Sequence, residues 1–340
     1  MAEGNGGVMS DELVTAKTRE GYDLPVIDFT NPRFAVPDGP EAARALHDAF
    51  VASERRRRFI PPFIMRMILR SAAKKSRLIR ALFDTDAGFL DGLSTYVMKL
   101  GVDNLVPPYD GPVDRRLGAS PHVGLLRLRM QQTARLLADG LVAELERDGG
   151  AALNLINIGG GPALDSINTL ILLDRARPDL LRRPITIHVL DSAQEGPFFG
   201  ANALAALKKE GRPLHGLNVA WMHRGYDWNE PAGLERLVGD LASAGGLIAA
   251  SSEGALFEYG SDAAIVANLT ALRGNQRGAR LVAGSVTPAD DVRRRMIAET
   301  GFKLVPRGVA GFAPLAARAG FGVAQVENAM ISDQVLLRPE

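Results

Sequence analysis

The stretch LNLINIGGGPALDS (153–166) constrains this chain more than any other. An apolar run enters three consecutive glycines and leaves through a proline into a helix-like pattern. Such a run reads as a strand buried on both faces of a parallel sheet. Glycine directly after it lets the backbone turn tightly and lie against a ligand with no Cβ in the way. The following helix aims its N-terminal amides and the positive end of its dipole at the same place. The combination is a cofactor cradle at the carboxyl end of a strand.

The rest of the chain gives that strand a setting. At 340 residues it exceeds the usual single-domain size, so one large or two modest domains are expected. Residues 1–40, rich in glycine, proline and acidic groups, read as an extended or partly disordered lead-in. Over 41–149 apolar residues recur three and four apart, and Pro61-Pro62, Pro107-Pro108 and Gly111-Pro112 interrupt the pattern. An all-helical N-terminal domain is predicted there, ending at Asp148-Gly149-Gly150. Over 150–340 strands are predicted at 153–158, 185–190, 217–222, 247–250, 280–284, 322–326 and 334–337. Helices are predicted at 163–175, 198–210, 232–243, 262–273, 290–300 and 312–319. Alternation of this kind implies an α/β fold, a parallel sheet with ligands outside its carboxyl edge. The link VENAMISDQ is too short for a helical crossover, so the last strand is expected to be antiparallel.

Composition narrows the chemistry. Cysteine is absent, which removes disulfides, thiolate catalysis and cysteine-held zinc or iron–sulfur sites. The five histidines are not clustered at ligand spacing, so no metal site is expected. A net charge of +1 gives no global field for nucleic acid or acidic membranes, and neither partner is expected. No apolar run reaches the roughly 18 residues that span a bilayer, and MAEGNGGVMSDELVTAK lacks a leader-like pattern. A cytoplasmic location is the expectation.

Two nucleotide-type ligands compete for the glycine loop. A dinucleotide fold wants G-x-G-x-x-G, and Leu164 occupies the third glycine position. Counted to Ala163 the spacing is G-x-G-x-A, which resembles the first motif of class I S-adenosylmethionine-dependent methyltransferases. Asp191, Tyr226-Asp227-Trp228 and the ending FAPLAARAGFGVAQVE follow in the order that this family shows. The resemblance covers about 150–340. It implies a Rossmann-like sheet with S-adenosyl-L-methionine held by Asn157, Gly159, Gly160, Gly161, Asp191, Asp227, Trp228 and Ser251. Asp191 would accept from the ribose hydroxyls, Asp227 from the adenine amine, and Trp228 would cover the ring. It also implies methyl transfer to oxygen or nitrogen of a small molecule of specialised metabolism. The helical domain would then serve as substrate lid or dimerisation unit, giving a homodimer. One departure stands out: Asn157 occupies a position where the family usually has an acid to pair with the cofactor's ammonium. Gly-x-Gly-Pro and the helical N-terminal region also resemble nicotianamine-synthase-like enzymes, which transfer the aminocarboxypropyl arm. A non-catalytic cofactor- or RNA-binding module is the remaining alternative.

Candidates for the chemistry lie in SSEGALFEYGSD, after the fourth strand. Glu253 and Glu258 could bind an amine or act as base, and Tyr259 could wall the pocket; Ser261 and Asp262 read equally as a helix cap. His223, ending the third strand, is a further catalytic candidate, while His188 reads as core and His122 as a residue that could reach over the cleft. Phe89, Tyr96 and Tyr109 are candidates for lining the pocket. Finally, residues 55–80 hold ten Lys or Arg and no acid. Ile64, Ile68 and Ile79 recur among them, which reads as a helix with one buried face and one solvated face rather than an RNA footprint.

Overall fold

The structure is a computed structural model and describes residues 13–57, 59–81, 91–275 and 277–340. A short hairpin, β1 (Thr15–Lys17) and β2 (Asp23–Pro25), precedes the helices α1 (Pro40–Arg57), α2 (Pro62–Ala73) and α3 (Arg77–Ala81). Helices α4 (Gly92–Lys99), α5 (Pro112–Gly118) and α6 (Pro121–Arg147) follow. The chain then alternates through β3 (Leu153–Ile158), α7 (Leu164–Ala176), β4 (Ile185–Leu190), α8 (Glu195–Leu207), β5 (Val219–Arg224) and α9 (Ala232–Ser243). It continues with β6 (Leu247–Ser252), α10 (Leu256–Tyr259), α11 (Asp262–Arg273), β7 (Leu281–Val286) and α12 (Asp291–Thr300). Helix α13 (Gly308–Arg318), β8 (Phe321–Asn328) and β9 (Asp333–Pro339) complete it.

Seven strands form one sheet in the order β5-β4-β3-β6-β7-β9-β8. Strands β3 to β7 pair in parallel, and β9 runs antiparallel to both of its neighbours. This is a mostly parallel, Rossmann-like sheet, with the reversed final strand that the short 327–333 link requires. Every residue of β3, β6 and β7 is buried, as a strand covered on both faces must be. The chain winds outward from β3 to β5 and returns beside β3 as β6. That reversal opens a crevice at the carboxyl ends of β3 and β6.

Helix α6 shows why the packed core does not stop at residue 149. Ser120 caps it by accepting from the Val123 amide, and Pro121 needs no partner at its first turn. Its buried Leu136, Leu141 and Leu145 share one core with Leu153, Leu155 and Leu281 of the sheet. Gly140 permits the approach, because a Cβ there would sit 3.1 Å from methyls of both Leu281 and Leu336. The longest of the N-terminal helices is thus a cover of the sheet.

Of the two readings of the lead-in, extended or partly disordered, its described part takes the extended one. From Leu13 onward it is extended but packed, with Leu24, Ile27, Phe29 and Phe34 buried; the earlier residues lie outside the described ones. Asn168 of α7 fastens it. The Asn168 amide nitrogen donates to the carbonyls of Ile27 (2.9 Å) and Leu164 (2.8 Å), and its oxygen accepts from the Phe29 amide (2.9 Å). Tyr96 of α4 adds a second fastening, accepting from the Ile27 amide and donating to the Pro25 carbonyl. Asn168→Ala would leave buried backbone groups unpaired, and should lower stability by about 2–3 kcal/mol. Urea unfolding monitored by circular dichroism checks this. An unchanged midpoint would mean that the lead-in is not held by this side chain.

Candidate functional site

A cavity of about 630 Å³ occupies the crevice. Gly159, Gly160 and Pro162 form its floor at the end of β3, and Asp191 stands at the end of β4. Asp227 and Trp228 come from the end of β5, and Glu253 from the end of β6. Helix α4 closes the remaining side with Thr95, Tyr96 and Lys99, and with Asp91 just before its first turn.

The glycine loop takes its shape from groups beneath it. Asn157 is fully buried; its oxygen accepts from the Gly160 amide at 3.1 Å, and its nitrogen reaches Asp165 Oδ1 (2.8 Å) and Ser251 Oγ (3.0 Å). Asn157 and Ser251 therefore brace the loop from behind and are not among the residues that line the cavity. Gly159 has φ +67°, and a Cβ there would meet the Trp228 indole at 3.0 Å. Ala163 holds a left-handed φ of +49° without being glycine, a conformation that costs about 1–2 kcal/mol. Gly161 faces away from the cavity toward Gly92: a Cβ on either would lie within 2.6 Å of the other's Cα. Helix α4 is thus docked, backbone against backbone, on the loop.

Asp191 ties two segments together. One carboxylate oxygen accepts from the Gly161 amide at 2.9 Å and the other from the Ala193 amide at 2.8 Å. Burial pushes its carboxyl up from the ordinary aspartate range, and those two amides oppose the push. His223 is outside the cavity: its Nε2 lies 3.0 Å from the Asp191 carbonyl oxygen, so it braces the strand end and makes no approach to the crevice. The 226–229 turn is fixed by Asn268, which accepts from the Tyr226 hydroxyl and donates to the Trp228 carbonyl at 2.7 Å. Asp227 accepts from the backbone and side-chain nitrogens of Asn229 at 2.9 and 2.8 Å.

At the other end of the cavity four titratable side chains are sealed together, and burial lowers the pKa of the Lys99 ammonium although Glu253 opposes that shift. Glu253 accepts from Lys99 Nζ on one oxygen and from Arg129 Nε on the other, and Arg129 reaches Glu258 at 3.2 Å. None is more than 7% exposed. Burial pushes the Glu253 carboxyl up, but Arg129 and Lys99 outweigh it and hold the group below the usual glutamate range. Burial dominates at Glu258 and raises it despite Arg129. Asp165, beside the network, is raised by burial and by the charge of Glu253, and its second oxygen has no partner among the described residues. Burial raises Tyr259 too, so its phenol stays protonated. Of the three candidates from this segment, Glu253 and Tyr259 line the cavity, whereas Glu258 lies behind Arg129.

Sequence reasoning missed Lys99, Arg129, Thr95 and Asn268. Asp91, Thr95 and Lys99 carry a readable signal, polar positions four apart on one face of a helix; Arg129, alone in the middle of α6, carries none. Tyr96 does line the cavity, Tyr109 is packed beneath Arg77, and Phe89 lies outside the described residues. His122 is in α6 near Phe50, and the helix predicted at 290–300 packs on α2; neither borders the cavity. Among the described residues no three His, Asp or Glu side chains converge as metal ligands, and no helix is long and apolar enough to cross a membrane.

No protein-family model matches the chain, and no curated protein matches it. Solved structures do resemble it in fold. One is a protein of Bordetella parapertussis named as a possible exported protein, at 17% identity and TM-score 0.48, covering 89% of this chain and 99% of that one. A second is the Burkholderia thailandensis 1,6-didemethyltoxoflavin-N1-methyltransferase with its acceptor and S-adenosylhomocysteine bound. It is 13% identical with TM-score 0.38, covering 62% of this chain and 78% of that one. A third is an O-methyltransferase from neocarzinostatin biosynthesis in complex with S-adenosyl-L-homocysteine and 1,4-dihydroxy-2-naphthoic acid. It is 19% identical with TM-score 0.35, and the match covers 55% of this chain and 49% of that one.

Glu253→Gln would leave Lys99 and Arg129 buried with one counter-charge fewer. The expected loss at pH 7 is about 3–5 kcal/mol. Because the folded-state pKa of Glu253 lies below its unfolded value of 4.5, its contribution is complete above that pH and is lost as pH falls through the folded value. Unfolding of wild type and variant at pH 7 and at pH 3 should show the gap narrowing on acidification. A gap independent of pH would contradict this assignment.

Proposed function

We propose that this protein transfers the methyl group of S-adenosylmethionine to an oxygen or nitrogen of a small acceptor held in the cavity. The observation that carries the reading is Asp191. Its carboxylate ends β4, is hydrogen-bonded to the glycine loop, and faces the same cavity as the Trp228 indole.

The residues present fit the cofactor. Asp191 uses two acceptor sites on backbone amides, and a carboxylate offers about four, so capacity remains for a ribose diol. The indole of Trp228 supplies an aromatic face for adenine, with Asp227 and Asn229 beside it. Glu253 and Lys99 present a carboxylate and an ammonium, the complement of an α-amino acid's two charges. Glu253 thereby compensates for the neutral Asn157. When bound, S-adenosylmethionine supplies an electrophilic methyl group.

The residues at the polar end also limit the acceptor. Glu253, tied to two cations, has low proton affinity and is a poor general base near neutral pH. Tyr259, its pKa raised by burial, is a hydrogen-bond donor, and Lys99 donates to Glu253. The site therefore suits an acceptor that enters already nucleophilic, a phenolate or a neutral amine, which Lys99 and Tyr259 would orient. Positioning supplies the rest, since displacement in line needs alignment before it needs a base.

Calorimetry with S-adenosylhomocysteine tests the cofactor assignment. Asp191→Ala and Trp228→Ala should each weaken binding at least about tenfold, equivalent to about 1.4 kcal/mol. Undiminished affinity in a folded Asp191→Ala protein would contradict it. Incubation with S-adenosylmethionine and a panel of phenols and aromatic amines, read by mass spectrometry, should give methylated acceptor and S-adenosylhomocysteine. Methylthioadenosine in its place would make the protein an aminocarboxypropyl transferase instead.

A further inference from the structure

The basic segment at 55–80 does not fold as its pattern predicts. Ile79 is buried as expected, but Ile68 is 49% exposed, and the residue of α2 turned inward is Met65. Phe59 (87%), Phe63 (72%) and Met67 (65%) are exposed with Ile68 at the corner joining α1 to α2. Scattered apolar residues on a surface need no explanation. Here, however, four of the seven large apolar residues exposed among the described residues fall within ten positions of each other.

The corner is held from its inner side. Arg295 of α12 donates to the carbonyl of Ile60 at 2.7 Å, and Arg66 donates to the carbonyl of Ala298 at 3.3 Å. Phe63 and Met67, four apart on α2, share an exposed face, and Phe59 is exposed just before the helix. Exposed Arg55, Arg56, Arg70, Lys74 and Lys75 flank these residues, and none of these five pairs with a carboxylate among the described residues. Arg57 and Arg77 of the same segment pair with Glu54, Glu299 and Glu20, so it is these five cations that give a protein of net charge +1 a positive corner beside exposed apolar residues.

We propose that the α1–α2 corner docks peripherally on a negatively charged lipid bilayer. Phe59, Phe63, Met67 and Ile68 would enter the headgroup–acyl boundary while Arg55, Arg56, Arg70, Lys74 and Lys75 lie among the phosphates. Charge complementarity decides between occupants. A second copy on a two-fold axis would set this cationic patch against itself, since such an interface uses the same surface twice. RNA would satisfy the cations but offers no apolar phase to Met67 and Ile68.

Sedimentation with vesicles of phosphatidylcholine alone, or of phosphatidylcholine with phosphatidylglycerol, tests the proposal on the full chain. Binding to the anionic vesicles should be at least tenfold tighter and should weaken as salt is raised. Phe63→Ser/Met67→Ser and Arg70→Glu/Lys74→Glu should each reduce it at least tenfold, with unchanged thermal midpoints because all four positions are exposed. The proposal is overturned by equal binding to both vesicles or by binding to neither. It is equally overturned if Phe63→Ser/Met67→Ser dissociates a dimer in light scattering, or if a single-stranded RNA is bound and the vesicles are not. These outcomes are independent of whether S-adenosylmethionine is the cofactor.

Discussion

The ion network around Glu253 is the joint on which this structure depends. Lys99 comes from α4, Arg129 from α6, Glu253 from the tip of β6 and Glu258 from α10, so four elements meet through their charges. Taking such groups out of water costs several kcal/mol per ion, and only a near-complete set of partners offsets it. A hydrophobic cluster of the same volume would hold the helices with less penalty. What it would not provide is a carboxylate fixed in place at the cavity wall, kept ionised by two cations and oriented by both.

The second constraint is steric. Gly92 and Gly161 cross so closely that neither tolerates a Cβ, and Gly196 of α8 abuts the same loop. The loop, the first turn of α4 and the first turn of α8 form one rigid unit, to which Asp191 is hydrogen-bonded through the Gly161 amide. The N-terminal helices consequently build part of the cavity: α4 is one of its walls, and α6 covers the sheet beneath it. The strained Ala163 is held in this unit by complete burial.

Much of this was legible in the sequence wherever information is local. The buried strand before the glycines, the alternation of strand and helix, the reversed last strand and the carboxylate closing β4 all follow from runs of a few residues. Reading failed where a side chain's role depends on what the fold brings to it from afar. The resemblance assigns Asn157 and Ser251 to the cofactor, and what no spacing could show is that Asn157 bonds Asp165, Ser251 and the Gly160 amide. His223 sits at the right strand end but on the wrong side of it. Lys99 and Arg129 find Glu253 across 154 and 124 positions of sequence, distances over which no spacing rule operates. The lead-in looked loose because its apolar residues are few, and its order comes from Asn168 and Tyr96 in other elements. In α2, apolar residues lie on both faces, so periodicity alone could not tell which face would be covered.

The proposed function rests on an adenosyl group lying across the carboxyl tips of β3, β4 and β5. A crystal structure with S-adenosylhomocysteine bound measures this most directly. The expected result is both ribose hydroxyls within hydrogen-bond reach of the Asp191 carboxylate, with the purine against the Trp228 indole. A nucleoside bound elsewhere, or with its sugar remote from Asp191, would contradict it.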